Sequence, residues 1–212
     1  MPRYRRGGLG SGSCPVAYYP DSSVITFTDE LGNTFESLVD GTFFAAAVAG
    51  AVCSPAVDVA TPYTHRKILG ITRIPRIMDP VEANQTAVAG ITILEDLQPT
   101  IRIRQGLTTN MTSVLTRLPT VTQIADFVSI SSRSILDAFV GTKFLASRTN
   151  EVEVSMTSLF KQLIQQEIVA AFTGISAVVD ANDPTVLNAE AFYQPIFPLL
   201  YIVLTFSLRA RI

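Results

Sequence analysis

Gly90-Ile-Thr-Ile-Leu-Glu-Asp-Leu-Gln-Pro-Thr-Ile-Arg-Ile-Arg-Gln-Gly-Leu-Thr-Thr109, followed at once by Leu118-Pro-Thr-Val-Thr-Gln-Ile-Ala-Asp-Phe-Val128, is the stretch whose reading decides the fold. It reads as a glycine stop, a strand, a turn at Gln98-Pro99 and a second strand in which Ile101 and Ile103 alternate with Arg102 and Arg104. A Thr-Thr bend and a long helix follow. This order suggests a tightly built assembly domain, and the stretch contains no nucleophile, metal cluster or phosphate loop.

Upstream, Asp79-Pro80-Val-Glu82 supplies an N-cap residue, proline at the first helical position and glutamate at the third, so a short helix is expected to end at Gly90. Val24, Ile25 and Phe27 start a strand that turns at residues 29–33 and returns through Thr34-Phe35-Glu36 as a hairpin. Gly41-Thr42 opens an alanine-rich helix that ends before Pro55, and Lys67 to Ile74 is expected to be a strand. Downstream, a helix from Thr120 to Phe139 places Ile124, Phe127, Val128, Ile135 and Phe139 near one face, with Gly141 as its left-handed stop. A second helix is expected from about Thr149 to Ala170, with Val152, Met156, Leu159, Phe160, Leu163 and Ile164 at helical spacing. Strands Ile175 to Val179 and Val186 to Phe192 then flank an Asp180 to Thr185 loop, and Leu199 to Leu208 forms an apolar final strand. The reading is an α+β fold: a mixed or antiparallel sheet covered by two long helices, with extended terminal arms that add strands to neighbouring subunits. Its division is an amino-terminal arm over 1–20, a domain over 21–198 and a carboxy-terminal arm or strand over 199–212.

Composition narrows the function. The 212 residues are 48% hydrophobic and only 16% charged, few charges for a surface that stays wholly exposed to water. No apolar run approaches the roughly 20 residues of a membrane span, and Met-Pro-Arg-Tyr-Arg-Arg lacks the apolar stretch of a secretory signal, so cytoplasmic production without membrane insertion is expected. A net charge of −2 disfavours nucleic acid as a partner. Arg3, Arg5 and Arg6 form one basic tip and Arg209 and Arg211 another, read as solvated tails or as docking contacts for an acidic partner.

Candidate chemistry is sparse. The glycines of Gly7 to Gly12 are wrongly spaced for a dinucleotide loop and follow no strand. Cys14 and Cys53 make neither a disulfide scaffold nor a usual zinc site; they read as free thiols or as a cross-link between subunits. His65 is the single histidine, flanked by Arg66 and Lys67, and is read as a hydrogen-bonding residue. Asp180, Asn182 and Asp183 read as Asx-turn residues rather than calcium ligands, and Glu95 and Asp96 point to opposite faces of a strand, so they make no acid and base pair. Asn84 and Asn110 match glycosylation acceptors by chance. Arg102 and Arg104 share one strand face, either solvated or paired with carboxylates of a neighbouring subunit. No catalytic residue, cofactor or metal is assigned.

These motifs, in this order, resemble the carboxy-terminal domain of the tail sheath proteins of contractile phages and related injection particles. In that family a hairpin of the form ITVL…IRVRHGLTTD precedes a RQIADYV helix. The matching residues here are Gly90 to Asn110, Thr120 to Val128, Phe139-Val140-Gly141, Asp180 to Thr185 and Tyr193 to Phe206, and the resemblance spans Val24 to Phe206. It implies a structural subunit, not an enzyme, that stacks as hexameric rings around an inner tail tube and contracts to drive the tube through a cell envelope. Partners implied are other copies of the chain and the tube protein, with baseplate, tail terminator or a second sheath chain as further ones; the implied place is the virion tail, assembled in the host cytoplasm. The resemblance makes Tyr18, Tyr19, Leu199, Tyr201, Val203, Thr205 and Ser207 the candidates for inter-subunit strand exchange, and Arg102, Arg104, Arg209 and Arg211 the candidates for inter-subunit or tube-facing charges. Sheath proteins are usually longer, so a fragment, a minimal sheath and one half of a two-chain sheath all remain open. A non-contractile tail adaptor or terminator ring and a small α+β enzyme are the alternatives.

Overall fold

The alternation in the quoted stretch sorts its side chains as expected: Ile101 and Ile103 are 3% and 0% exposed, while Arg102 and Arg104 lie on the other, partly exposed face. The computed structural model describes residues 17–19, 22–52, 54, 58–97, 100–145 and 147–200. In chain order the elements are β1 (Ala17–Tyr19), β2 (Ser22–Thr28), β3 (Thr34–Asp40), α1 (Gly41–Val52), α2 (Pro80–Val88), β4 (Ile91–Leu97) and β5 (Thr100–Gln105). Then come α3 (Val114–Arg117), α4 (Pro119–Leu136), a single 3₁₀ turn Asp137–Phe139, α5 (Arg148–Gln165), β6 (Val169–Val179) and β7 (Leu187–Pro195). The class is α+β. Among the described residues the strands form three small sheets: β1-β4-β5, with β1 parallel and β5 antiparallel to β4, and the antiparallel hairpins β2–β3 and β6–β7.

Two apolar clusters hold these parts. One joins α1 to the inner face of β4–β5 through Phe44, Val48, Leu94, Ile101 and Ile103, closed by Tyr63, Ile68 and Ile74 from the preceding loop. The other packs Ile124 and Val128 of α4 against Val152, Met156, Leu159, Phe160 and Leu163 of α5 and against Val169 and Ala177 of β6. Phe160 is 1% exposed and meets the rings of Phe172 and Tyr193 at 5.4 and 5.7 Å between centroids. Such tilted aromatic contacts add to the burial itself. Burial and the neighbouring Asp126 charge both raise the Tyr193 pKa, which keeps its hydroxyl neutral.

Local signals explain most boundaries. The Asp79 carboxylate accepts from the Val81 and Glu82 amides at 2.8 and 2.9 Å, starting α2, and Gly90 stops it at φ +79°. Ser113 and Thr116 close a reciprocal capping box around α3, a four-residue helix outside the sequence reading. At the β2–β3 tip Asp29 accepts from the Leu31 and Asn33 amides, and Gly32 takes φ +83°.

Three expectations change. Lys67 to Ile74 is no strand: His65 at φ +62° and Gly70 at φ +85° bend the chain, leaving only the isolated bridges Lys67↔Arg102 and Val24↔Arg73. The second long helix ends at Gln165 instead of near Ala170, because Glu167 turns left-handed at φ +57° and the Glu167 and Ile168 amides donate back to Ile164 and Leu163 at 3.0 Å each. Ile168 and Leu163 are both buried there, so apolar packing holds a turn that glycine would otherwise occupy. The strand expected from Ile175 starts instead at Val169; β6 runs straight through Gly174, with the register shift of a bulge between Thr173 and Ser176.

Candidate functional site

The outward face of β4–β5 is set by the register that buries Ile101 and Ile103. Glu95 stands directly opposite Arg102, and its Oε1 receives Arg102 Nε at 2.5 Å. Arg104, two residues on, donates from Nη2 to Asn84 Oδ1 of α2 at 3.1 Å. Thr64 and His65 close the other side. The Thr64 hydroxyl oxygen accepts from the Gly106 amide at 3.1 Å, and the His65 amide donates to the Ile103 carbonyl at 2.7 Å. These backbone ties hold His65 at φ +62°, uncommon for any residue with a Cβ, and leave it exposed at the lip.

Together these residues line an open concavity of about 500 Å³ whose far rim is Leu200. Arg102 and Glu95 largely neutralise each other, with side chains 32% and 23% exposed. Among the described residues the Arg104 guanidinium is held by Asn84 alone, so the concavity carries one cation without a countercharge. Behind it, Arg66 stacks with its guanidinium carbon 5.0 Å from the centre of the Tyr63 ring and donates to the Thr61 carbonyl at 2.6 Å. Burial lowers its pKa from the ordinary guanidinium value, while Tyr63 opposes the shift. Such a surface can bind an acidic group; among the described residues it aligns no nucleophile with a base. Among the described residues no group of three His, Cys, Asp or Glu side chains is placed to hold a metal ion, and no helix is long and apolar enough to cross a membrane.

The structure brings some sequence candidates together and separates others. Arg102 and Arg104 share the concavity, but Arg102 is paired within its own chain to Glu95, where the sequence reading had left solvation or a carboxylate of a neighbouring subunit. Leu199 is 77% exposed, beside Leu200 at the rim, and no strand forms over residues 196–200. Tyr201, Val203, Thr205, Ser207, Arg209 and Arg211 lie outside the described residues, as do Cys14, Cys53 and the Gly7 to Gly12 run. Tyr18 and Tyr19 lie in β1, which pairs in parallel with β4 of the same chain at Thr92 and Ile93. Asp180 and Asp183 are turn-formers as read: Asp180 Oδ1 accepts from the Asn182 and Asp183 amides, and Asp183 Oδ1 from the Thr185 amide and hydroxyl. The Glu95 partnership was readable in principle, since the hairpin register follows from the two-residue turn and the buried alternation.

Known proteins match this fold and order. No family model matches the chain. A tail sheath protein of Mycobacterium phage Bxz1 is 26% identical over 196 residues, which is 91% of this chain and 33% of that protein. The chain thus spans about a third of the length of the curated relative it matches. Among solved structures, the contracted helical sheath of the anti-feeding prophage superposes with a TM-score of 0.73 at 14% identity, covering 93% of this chain and 57% of that one. The contracted sheath complex of the extracellular contractile injection system PVC gives 0.70 at 12% identity, covering 91% and 55%. The chain therefore has the fold of contractile sheath proteins and is similar in sequence to a phage tail sheath protein, as the order of its motifs implied.

Proposed function

We propose that this chain is a structural subunit of a contractile tail sheath, polymerising as stacked hexameric rings around an inner tail tube and shortening to drive that tube through a cell envelope. The observation that carries the reading is the superposition of almost the whole chain on contracted sheath subunits, together with sequence similarity to a phage sheath protein over 91% of its length. The apolar surface left open is what assembly would cover. Phe27, Phe35 and Leu38 of the β2–β3 hairpin, Phe43 of α1 and Phe192 of β7 are 46–66% exposed, and hairpins of two strands gain little stability alone in water.

In this reading neighbouring subunits stay tethered by strand exchange, with the segment from Leu199 through Tyr201, Val203, Thr205 and Ser207 as one donor. The β1–β4 pairing supports the second: a three-residue strand on its own sheet is an element that the β1 of a neighbouring copy can replace, carrying Tyr18 and Tyr19 across. Arg102, Arg104, Arg209 and Arg211 act as the charged contacts to other subunits or to the tube, and the chain has no catalytic turnover. Baseplate, terminator or a second sheath chain would meet the ends of the polymer in the virion tail, after assembly in the host cytoplasm.

The test is negative-stain electron microscopy of the full chain, alone and mixed with its tube protein, beside a version ending at Pro198. Tubes or stacked rings that disappear without the last strand are expected. Single closed rings in place of tubes would shift the reading to an adaptor, and a monodisperse monomer in every mixture would overturn it.

A further inference from the structure

We propose that the concavity on the outward face of β4–β5 is a socket for a carboxylate of a second copy of this chain, and that the occupant is Asp183 at the tip of the β6–β7 hairpin. This rests on the sheath reading and adds to it the partner residue. The socket side is defined by charge. Glu95 already occupies Arg102, so among the described residues of the concavity the one uncompensated cation is Arg104, with the exposed His65 beside it at the lip. A polyanion would meet the Glu95 carboxylate as well as the guanidinium groups, and the chain as a whole carries a formal charge of −2. A single carboxylate on a narrow protrusion fits what remains, and about 500 Å³ lies within the roughly 300–1,000 Å³ range of binding clefts.

The Asp183 side is defined by geometry. It sits in a tight turn between β6 and β7, the longest strand pair among the described residues at 11 and 9 residues, and residues 181–186 are all exposed. Asp180 is consumed by the turn: Oδ1 takes two amides and Oδ2 takes Asn188 Nδ2 at 3.1 Å. Asp183 spends only Oδ1, on Thr185, and among the described residues its Oδ2 receives no bond. Those bonds hold its carboxyl below the usual carboxylate range, so it is presented as an anion with one oxygen free. The other acidic tip, Asp29-Glu30, fits less well. Asp29 accepts at both oxygens, and the tip is led by Leu31, an apolar side chain 87% exposed, against a polar concavity.

The experiment is a charge exchange in the full chain: Arg104→Glu, Asp183→Lys, and both together. The readout is the chain concentration at which half the protein pellets as assembled tubes. Each single reversal is expected to raise that concentration about tenfold or more, and the double to return it to within about threefold of the unaltered chain. Circular dichroism and the thermal midpoint of the unassembled protein establish that each variant is folded; if Arg104→Glu is not, Arg104→Gln, which retains a donor for Asn84, is paired with Asp183→Asn instead, and the double is then expected to be no worse than either single. Single reversals without effect, or a double no better than the worse single, overturn the socket while leaving the sheath reading intact. Recovery of Arg104→Glu by Glu30→Lys instead of Asp183→Lys overturns the choice of occupant. If the unaltered chain makes no tubes, the sheath reading is what fails. The socket is then read by sedimentation equilibrium of the full chain: a self-association weakened about tenfold by Arg104→Glu and by Asp183→Lys supports it, and a self-association unchanged by both overturns it.

Discussion

Glu95 and Arg102 face each other across the β4–β5 register with 2.5 Å between Oε1 and Nε, each side chain less than a third exposed. Partial burial puts this pair near the upper end of what cross-strand ion pairs contribute. Glu95→Gln and Arg102→Gln are each expected to cost about 1 kcal/mol, with a coupling of about 0.5–1 kcal/mol in a double-mutant cycle followed by urea unfolding. Zero coupling would mean that the pair is solvated in solution.

The inner face of the same hairpin responds on a different scale. Ile103 is 0% exposed between α1 and the 63–74 loop, so Ile103→Ala removes packed methyl groups and leaves a cavity. A loss of about 2–5 kcal/mol is expected, against less than about 0.5 kcal/mol for Leu31→Ala at a position 87% exposed. Similar unfolding midpoints for the two would contradict the burial of this strand.

Two glycines should respond with opposite sign. A Cβ at Gly106 would stand 2.4 Å from the Cβ of Tyr63, too close to the root of a buried side chain to be relieved by rotation, whereas at Gly50 in α1 it would meet nothing within 4 Å. Gly106→Ala is expected to lower stability by about 1–3 kcal/mol through overpacking. Gly50→Ala should raise it by about 0.5–1 kcal/mol through helix propensity. Thermal unfolding of both variants at one protein concentration checks the pair of signs.

Acid should loosen the β6–β7 tip before it loosens either core. Hydrogen bonds to Asn182 and Thr185 hold the Asp180 and Asp183 carboxyls below their ordinary 3.8, so each is depressed in the folded state. The order they give is therefore complete above that ordinary value and is lost as pH falls through the lower, folded-state one. Amide chemical shifts of Asn182, Asp183 and Thr185 should titrate below 3.8, with the buried residues of α5 unchanged over the same steps. A tip that titrates at the ordinary value would show that the turn bonds are absent in solution.

Much of this architecture was legible because single residues announce it. Asp79-Pro80 starts α2, the Ile101/Ile103 alternation orients β5, and Gly41 and Gly141 sit at the ends of helices or just past them. The signals failed where a residue of ordinary type did the work of a special one. Glu167 closes α5 in a left-handed conformation that sequence reading assigns to glycine, because Leu163 and Ile168 bury together beneath it. His65 likewise takes positive φ under backbone ties to β5 that join residues distant in sequence. The parallel partner of β4 was invisible for a related reason: Ala17 to Tyr19 is too short to show a period, and its pairing is fixed by the sheet edge it meets. Of the candidate site, the two arginines on one face were readable and the concavity was not, since its walls come from α2, β4, β5 and a loop that only the fold assembles.

The division of the interior into two separate clusters, one under α1 and β5 and one between α4, α5 and β6, has a mechanical meaning. A domain with one core shares a pull applied anywhere among all its contacts. Here a load entering through the β6–β7 hairpin is borne first by the α4–α5 cluster, while a load entering through β1 is borne by β4 and the cluster beneath it. Ties such as the 3.3 Å hydrogen bond from the Tyr63 amide to the Thr120 hydroxyl join the two, so a pull can be taken up at the seam between them while each interior stays packed.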